Sequence, residues 1–254
     1  MSRVLLRAPE RLREDDRIVP GQPAAREWNR FWAASGILIA IIASGRALFH
    51  VYHRRLLHRY VKWNGRVLEI GSGSGSLLLS IAPRVAEVVG LDSSAAALAQ
   101  ARAEQARRGV TNARFLLGDC RAVPFEQMFD VVWSAGLIEH FFERDIDVVR
   151  QHVKAATHRG YILVSVPHAY SIHRLHYALT RLRPLRHFWP WSSEDRFQRF
   201  YTRSQLAALG ARLELPYRVF FLPPAPLGVI FGLVILEIRK GEAGTSDALG
   251  EGTT

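Results

Sequence analysis

Cysteine is nearly absent from this 254-residue sequence, which contains only Cys120. A single cysteine excludes an internal disulfide framework and a zinc site built from cysteines, and it is typical of a reducing compartment. The first residues, Met1 to Arg17, also lack the apolar stretch that a secretory signal needs. We therefore expect the protein in the cytoplasm.

Acidic residues are scarce relative to basic ones, with 23 Asp and Glu against 34 Lys and Arg and a net charge of +11. The charge is uneven: +8 in residues 1–66, −4 in 67–149, +8 in 150–203 and −1 in 204–254. Basic segments around an acidic centre indicate an anionic partner, namely nucleic acid, a phospholipid surface or a charged substrate. Alternatively, the excess reflects genome base composition, because 31 of the 34 basic residues are arginine.

Composition divides the chain into four parts. Residues 1–27 are predicted to form a flexible basic arm, and 28–62 an apolar and basic helix. Residues 63–240 form the main domain, with an insertion at 168–203 on its substrate side. The polar segment 241–254 is predicted to be a disordered tail.

Short apolar runs alternate with helical patterns inside the main domain. The predicted strands are 67–70, 88–91, 114–117, 129–134, 161–166 and 231–239. Helices are predicted over 94–108 and 144–158, because Gly109 and Gly160 behind them are stop signals. Apolar strands separated by helices favour a parallel sheet covered on both faces, which binds ligands where its strands end.

A glycine loop follows the first predicted strand, in the run Val67-Leu68-Glu69-Ile70-Gly71-Ser72-Gly73-Ser74-Gly75-Ser76. Glycine lets the backbone turn sharply and lets a ligand approach the main chain. A dinucleotide fingerprint would need a third glycine at position 76, which is Ser76. The loop therefore departs from the dinucleotide fingerprint; it indicates a ligand site, although such loops also occur as plain turns.

The second strand ends at Asp92, where an acidic residue can accept hydrogen bonds from both hydroxyl groups of a ribose. The alternative is that Asp92 caps the helix that begins near Ser94. Ser93 or Ser94 could provide that cap equally well, and this favours the ribose interpretation.

Five segments in order resemble the class I S-adenosylmethionine-dependent methyltransferases, in particular their ubiquinone/menaquinone-biosynthesis branch. The segments are VLEIGSGSG, VVGLDSS, FLLGDCRAVPF, FDVVWSAGLIEHF and GYILVSVPH. The resemblance covers residues 63–170 well and extends more weakly over 194–240. It implies a Rossmann-like α/β fold with a mostly parallel seven-stranded sheet, helices on both faces, and S-adenosyl-L-methionine as cofactor.

The resemblance also implies roles for individual residues. Glu69 and the glycine loop would hold the methionine end of the cofactor, Asp92 its ribose and Asp119 its adenine. Cys120 would be a small wall residue, and Ser134 and Ala135 would line the pocket near the sulfonium. The implied cofactor-binding set is Glu69, Gly71, Ser72, Gly73, Gly75, Asp92, Ser93, Asp119, Cys120, Ser134 and Ala135.

His140 follows the fourth predicted strand, next to Glu139, and is the first catalytic candidate. Methyl transfer to a hydroxyl benefits from a general base, and histidine exchanges its proton most easily near neutral pH. In related enzymes a histidine here, sometimes with its neighbouring glutamate, contacts the substrate or acts as base. The alternative is that both residues only fix the loop by hydrogen bonds.

The predicted insertion is rich in basic and aromatic residues. Its histidines have no sharp ligand spacing and no acidic partners, so no metal site is predicted. We expect instead a cationic aromatic cap over an acidic or lipid-linked acceptor, in which Tyr201 or Arg203 faces the acceptor or packs in the lid. The cap residues are His168, His173, Arg174, His176, Arg181, Arg183, Arg186, His187, Trp189 and Trp191.

The run Ala33–Gly45 is almost wholly apolar, but it makes only about 20 Å of helix, short of a hydrocarbon core of about 30 Å. Two interpretations stay open. A helix within 28–60 could lie on the cytoplasmic face of a membrane, or it could form a lid over the pocket. The residues predicted for the membrane interface are Trp28, Trp32, Arg54, Arg55 and Arg59. A second apolar run, 219–238, contains three prolines, which argue against a spanning helix.

The leading hypothesis is a methyltransferase for a small-molecule or lipid-like acceptor, with oxygen as the preferred methylated atom. A nicotinamide-dependent reductase is disfavoured by Ser76. A nucleic-acid methyltransferase would suit the basic flanks, but the fourth strand ends in SAGLIEH, not in an Asn/Asp-Pro-Pro-Tyr motif. A membrane-associated protein that kept the fold and lost catalysis is the non-enzyme alternative.

Overall fold

The structure, a computed structural model, describes residues 28, 29, 32, 37–141, 143–172, 174, 198–224, 227–230 and 232–241. The predicted arm 1–27 and almost all of the predicted tail lie outside these residues. The middle of the predicted insertion, with His173, His176, His187 and both of its tryptophans, also lies outside them.

Seven strands form one mixed sheet. They are β1 (Arg66–Ile70), β2 (Glu87–Asp92), β3 (Ala113–Leu117), β4 (Phe129–Ala135), β5 (Ala156–Pro167), β6 (Tyr217–Leu222) and β7 (Leu233–Arg239). Their order is β3-β2-β1-β4-β5-β7-β6, and β7 alone runs in the direction opposite to the other six strands. The predicted Rossmann-like α/β fold is confirmed, and the strand order reverses between β1 and β4, where such sheets bind ligands.

The helices are α1 (Ile37–Tyr60), α2 (Ser76–Ile81), α3 (Ala95–Arg108), α4 (Asp145–Ala155), α5 (Arg203–Ala211) and the single turn α6 (Leu227–Ile230). Helices α1, α2 and α3 pack on one face of the sheet through an apolar cluster that includes Leu57, Leu78 and Leu98. Helices α4 and α5 pack on the other face around Val149 and Leu206. The sheet is thus buried on both sides, as its continuous apolar strands predict.

Helix α3 begins one residue after its predicted start and ends at the predicted residue, and both of its ends explain why. The Ser94 hydroxyl accepts a hydrogen bond from the Ala97 amide at 3.1 Å, which caps the first turn. Gly109 follows the last helical residue with φ of 63°, a left-handed conformation that glycine adopts without strain.

The prediction for α4 was wrong at its C-terminal end. The helix ends at Ala155, and residues 156–160, predicted as helix and stop signal, begin β5. Ala156 pairs with Phe129, and a shift in register follows before Tyr161 pairs with Val131. Gly160 packs against Ala156 in this irregular pairing, where an added Cβ would lie 3.1 Å from Ala156 Cβ. Tertiary pairing with β4 thus overrides the local stop signal.

The second apolar run resolves into separate elements, β6, α6 and β7, in place of one segment. Strand β6 was not predicted, because it is an edge strand whose only neighbour in the sheet is β7. Within the described ranges, no helix combines the length and the apolar character needed to cross a bilayer.

Candidate functional site

The glycine loop connects β1 to α2 at the point where the strand order reverses. Gly71, Gly73 and Gly75 have φ angles of 75°, 53° and 66°, all left-handed. The Gly71 amide donates to the Leu91 carbonyl at 2.8 Å, which holds the loop against the end of β2. A Cβ at Gly75 would lie 2.5 Å from the Phe115 ring, so packing also demands glycine there.

Asp92 ties this loop to the next helix. One carboxylate oxygen accepts from the Gly73 amide at 2.7 Å, and the other accepts from the Ser94 amide at 2.8 Å. Because Ser94 supplies the side-chain cap of α3, the Asp92 carboxylate is not the cap of that helix and instead joins the glycine loop to its first turn. Ser93, between them, is half-buried.

Three residues ahead of α1 lie over the mouth of this region. The Trp32 ring is so close to Gly73 that a Cβ there would lie 2.5 Å from Cζ2 of the indole. The Asn29 side-chain oxygen accepts from the Ser94 hydroxyl at 2.8 Å and from the Ala96 amide at 3.2 Å. Trp28 packs edge-on against His140, with ring centroids 5.1 Å apart. The two tryptophans predicted as membrane anchors therefore contact the site.

Asp119, predicted to bind adenine, is engaged by a residue that the sequence analysis left without a role. Arg121 donates from Nε to both carboxylate oxygens, at 3.0 and 2.8 Å, and its amide donates to one of them at 2.8 Å. Burial opposes ionisation of Asp119, but these hydrogen bonds outweigh it and lower the pKa of the carboxyl. Burial raises the pKa of Cys120 well above its usual value, so this thiol is not an activated nucleophile.

Ser134 and Ala135 end β4 but differ in where they face. The Ser134 hydroxyl is completely buried and hydrogen-bonds His152 Nε2 at 2.9 Å. His152 Nδ1 meets the Val148 carbonyl at 2.8 Å, so this pair belongs to the core under α4. Ala135 is half-buried and packs with the cluster on the opposite face. Glu69, on β1, is also buried, at 5% exposure.

Glu139 and His140 lie in a 3-10 turn, Ile138–His140, directly after β4. Both side chains are buried, and neither Glu139 Oε2 nor His140 Nδ1 has a hydrogen-bond partner within the described chain. Burial raises the pKa of Glu139 to about 8 and lowers the pKa of His140 to about 4. Near pH 7 the site therefore holds a neutral carboxylic acid beside a neutral imidazole.

A polar clamp holds this turn against the end of the sheet. The Arg199 amide donates to the Glu139 carbonyl at 3.0 Å, and the Tyr201 amide donates to the Pro167 carbonyl at 3.2 Å. The Tyr201 hydroxyl donates to the buried carboxylate of Asp145 at 2.8 Å, beside Arg199 Nη1 at 3.2 Å. Tyr201 is 1% exposed. It is thus a support for the turn, and its hydroxyl is committed to Asp145.

A cavity of about 540 Å³ opens beside the clamp, between the end of β5 and the start of α5. Its lining residues are His168, Tyr170, Thr202, Arg203, Ser204 and Ala207. His168 is 4% exposed, and its Nδ1 has no hydrogen-bond partner within the part of the chain described. Arg203, predicted to face the acceptor, lines this cavity. Among the described residues, no group of three or more His, Cys, Asp or Glu side chains could hold a metal ion.

The structure thus brings together the ends of β1, β2 and β4 with the segment around Trp32. Sequence reasoning missed Asn29 and Arg121 as contacts of the site. The signal for Arg121 was its position two residues after Asp119, which is close enough for a bidentate pair. Nothing local to Asn29 indicates its contact with the first turn of α3, because that contact spans 65 residues.

Part of the chain resembles known proteins in sequence. Residues 67–160 match the methyltransferase-domain family, a segment that runs from β1 into β5. A curated relative, the uncharacterized methyltransferase YcgJ of Bacillus subtilis (strain 168), is 34% identical over 77 residues. That match covers 30% of this chain, and the chain spans only 30% of that relative.

Solved structures show the same fold at low sequence identity. The crystal structure of YcgJ from B. subtilis has a TM-score of 0.58 at 19% identity, covering 76% of this chain and 99% of that one. Magnesium protoporphyrin IX methyltransferase (ChlM) from Synechocystis PCC 6803, with bound SAH, has a TM-score of 0.59 at 16% identity, covering 84% and 93%. The [4+2]-cyclase SpnF has a TM-score of 0.56 at 15% identity, covering 74% and 80%. These likenesses establish the fold alone.

Proposed function

We propose that the chain is an S-adenosylmethionine-dependent methyltransferase. The observation that carries the proposal is the junction of the glycine loop with Asp92, within the segment that matches the methyltransferase-domain family. Gly73 has no side chain, so its backbone allows close approach of a ligand, and the Asp92 carboxylate beside it is the type of group that accepts a hydrogen bond from a sugar hydroxyl. These residues fit a sulfonium nucleoside once Trp32 leaves the loop.

The residues that would hold the cofactor are Glu69, Gly71, Gly73, Asp92 and Asp119. S-adenosylmethionine, when bound, supplies an activated methyl group. For such a displacement the protein must place the nucleophile in line with the methyl and exclude water. Asp119 would bind the adenine, either with Arg121 still paired to its carboxylate or after that pair opens.

His140 acts as general base in this proposal. Its pKa near 4 leaves the imidazole neutral and able to accept a proton at neutral pH, and Nδ1 has no partner among the described residues. Glu139, with its pKa near 8, keeps its proton and can donate a hydrogen bond to the acceptor. A neutral base beside a neutral acid suits an acceptor that loses a proton, and we propose a hydroxyl oxygen.

We further propose that the acceptor is a small or lipid-like molecule with negative charge, bound in the cavity beside Arg203. Two features support this: the cation that lines the cavity, and the buried His168 in its wall. The relation to the ubiquinone/menaquinone-biosynthesis branch remains a proposal that rests on the five sequence segments. Residence in the cytoplasm is likewise proposed from the sequence alone.

Thermal unfolding tests cofactor binding, and mass spectrometry tests turnover. At a concentration 100 times its Kd, S-adenosylhomocysteine should increase the free energy of unfolding by about 2.7 kcal/mol and thereby raise the melting temperature. NADH should change neither quantity. When the protein is expressed in cells, mass spectrometry of the cell extract should show an anionic small molecule or lipid whose mass has increased by one CH₂. Asp92→Ala should abolish both effects.

Each alternative outcome has a separate meaning. Folded protein with no affinity for S-adenosylhomocysteine overturns the proposal. Binding without any methylated product would identify a protein that kept the fold and lost catalysis, or, as with SpnF, one whose reaction differs. A methylated nucleic acid would replace the proposed acceptor class.

A further inference from the structure

The outer face of α1 carries a cluster of cations. Arg54, Arg55 and Arg59 are all exposed, whereas His53 and Leu57 on the opposite side of the helix are buried. The spacing explains this pattern. Arg55 is adjacent to Arg54, and Arg59 follows them by four and five positions, so all three fall on one side of a helix with 3.6 residues per turn. The sequence of α1 contains no aspartate or glutamate.

Two neighbouring cations extend this cluster. Lys62 is exposed in the loop that follows α1, and Arg84 is exposed at the end of the 3-10 turn Ala82–Arg84. Burial lowers the pKa of His58, and the charges of Arg84 and Arg54 lower it further, which places both arginines beside this histidine. We call Arg54, Arg55, Arg59, Lys62, Arg84 and the exposed Trp63 the arginine face.

Nearby carboxylates do not neutralise the arginine face. Glu87 pairs with Arg66 and Arg114, at 2.8 and 2.6 Å. Glu237 is held between Arg218 and the hydroxyl of Tyr60. Within the described residues, none of the five cations of the arginine face forms an ion pair with a carboxylate. Among the residues that the structure describes, this positive charge is therefore uncompensated.

Apolar side chains accompany this charge. Val51, on α1 one turn before Arg54 and Arg55, is 36% exposed, and Trp63, which follows Lys62 in the chain, is 76% exposed. An indole combines an apolar ring with a polar N–H, so it is favoured at the interface between lipid and water. Cations alone would suit nucleic acid as well, but cations along one side of a helix, with an exposed indole in the loop directly after it, match an interfacial helix on anionic lipid.

We propose that the arginine face docks the protein on an anionic membrane surface, with α1 parallel to the bilayer. Trp63 enters the headgroup region, and the arginines contact lipid phosphates. This assignment replaces Trp28 and Trp32 as the membrane anchors, since these two residues contact His140 and Gly73. The proposal does not depend on methyl transfer, because the arginine face includes no residue of the site.

Sedimentation with vesicles tests the proposal on the full chain. The protein should bind vesicles of phosphatidylcholine mixed with phosphatidylglycerol and should not bind phosphatidylcholine alone. Replacing Arg54, Arg55 and Arg59 by glutamine should weaken binding on the order of 100-fold, which corresponds to about 1 kcal/mol for each charge. Trp63→Ala should weaken it several-fold, and added salt should weaken it further.

A matched control removes the same charge from the other side of the molecule. Arg150, Lys154 and Arg212 are exposed on or at the end of α4 and α5, which pack on the opposite face of the sheet. Replacing these three by glutamine should leave vesicle binding unchanged. Circular dichroism and S-adenosylhomocysteine binding of each variant report the fold and the site separately.

Three results would overturn the proposal. The first is wild-type protein that ignores vesicles with phosphatidylglycerol. The second is an equal loss in the control variant, which would show that only net charge matters. The third is RNA or DNA that binds the arginine face and displaces the vesicles, which would assign this surface to nucleic acid.

Discussion

Glu139 and His140 show how one physical cause can separate two adjacent residues. Burial disfavours the charged form of each, so it raises the pKa of the carboxyl to about 8 and lowers that of the imidazole to about 4. Between these values both groups are neutral. Pairs of groups with pKa values shifted apart in this way are typical of acid–base sites.

Substitution of His140 tests its role as base. His140→Ala should reduce kcat about 100-fold while the affinity for S-adenosylhomocysteine stays the same. In the wild type, kcat should fall as the pH decreases towards about 4, because the protonated imidazole cannot accept a proton. Turnover measured across pH checks both effects, and unchanged turnover in a variant that binds cofactor would reject the role.

Glu139→Gln is the control for the neighbouring group. Glutamine keeps a neutral hydrogen-bond donor, so activity near pH 7 should change little. Any loss of wild-type activity as the pH rises through about 8 should disappear in this variant.

At the scale of elements, the segment before α1 is joined to the edge of the sheet that carries the glycine loop. Trp32 lies against the side of Gly73 from which a ligand would approach, and its carbonyl accepts from the Gln100 side chain at 2.5 Å. Asn29 joins the same segment to the first turn of α3. Cofactor entry therefore requires the indole of Trp32 to move.

Trp32→Ala should accelerate the association of S-adenosylhomocysteine and tighten its binding several-fold, because the displacement of the indole is no longer needed. Stopped-flow fluorescence and calorimetry measure the two quantities. Trp63→Ala is the matched control, since this exposed tryptophan lies at the other end of α1 and should leave both unchanged. Slower association in Trp32→Ala would show that the ring guides the ligand.

At the scale of the whole molecule, buried histidines couple the stability of both helical layers to pH. His53, a buried residue of α1, hydrogen-bonds Ser165 at 2.9 Å, and His152, a buried residue of α4, hydrogen-bonds Ser134. Burial lowers their pKa values from 6.5 to about 3 and about 4, and the charge of His50 contributes at His53. The folded state thus keeps both imidazoles neutral where the unfolded chain would protonate them.

The free energy of unfolding should therefore be constant above pH 6.5 with respect to these groups and should fall as the pH decreases from 6.5 to about 4. Each unit of pKa shift corresponds to about 1.4 kcal/mol, so the combined loss should reach several kcal/mol. Urea unfolding across this range measures it. His152→Gln should flatten the dependence and the exposed His158→Gln should not, whereas a wild-type stability that is flat from pH 6.5 to 4 would contradict this account.

Local sequence determined strands β1 to β5 and β7, the glycine loop and the helix that stops before Gly109. Apolar runs, left-handed glycines and caps act within a few residues, so they can be recognised without knowledge of the rest of the chain. The same reasoning placed Asp92, Asp119, Glu139 and His140 at the ends of their strands.

Only the tertiary structure decided what those residues meet. Asn29 and Ser94 are far apart in sequence, as are His53 and Ser165, and no local signal pairs them. The true end of α4 and the edge strand β6 depend on the partners that β4 and β7 provide. Burial shifts the pKa values of Glu139 and His140 in opposite directions, and burial is a property of the packed molecule, because it depends on chain segments that lie far apart in sequence.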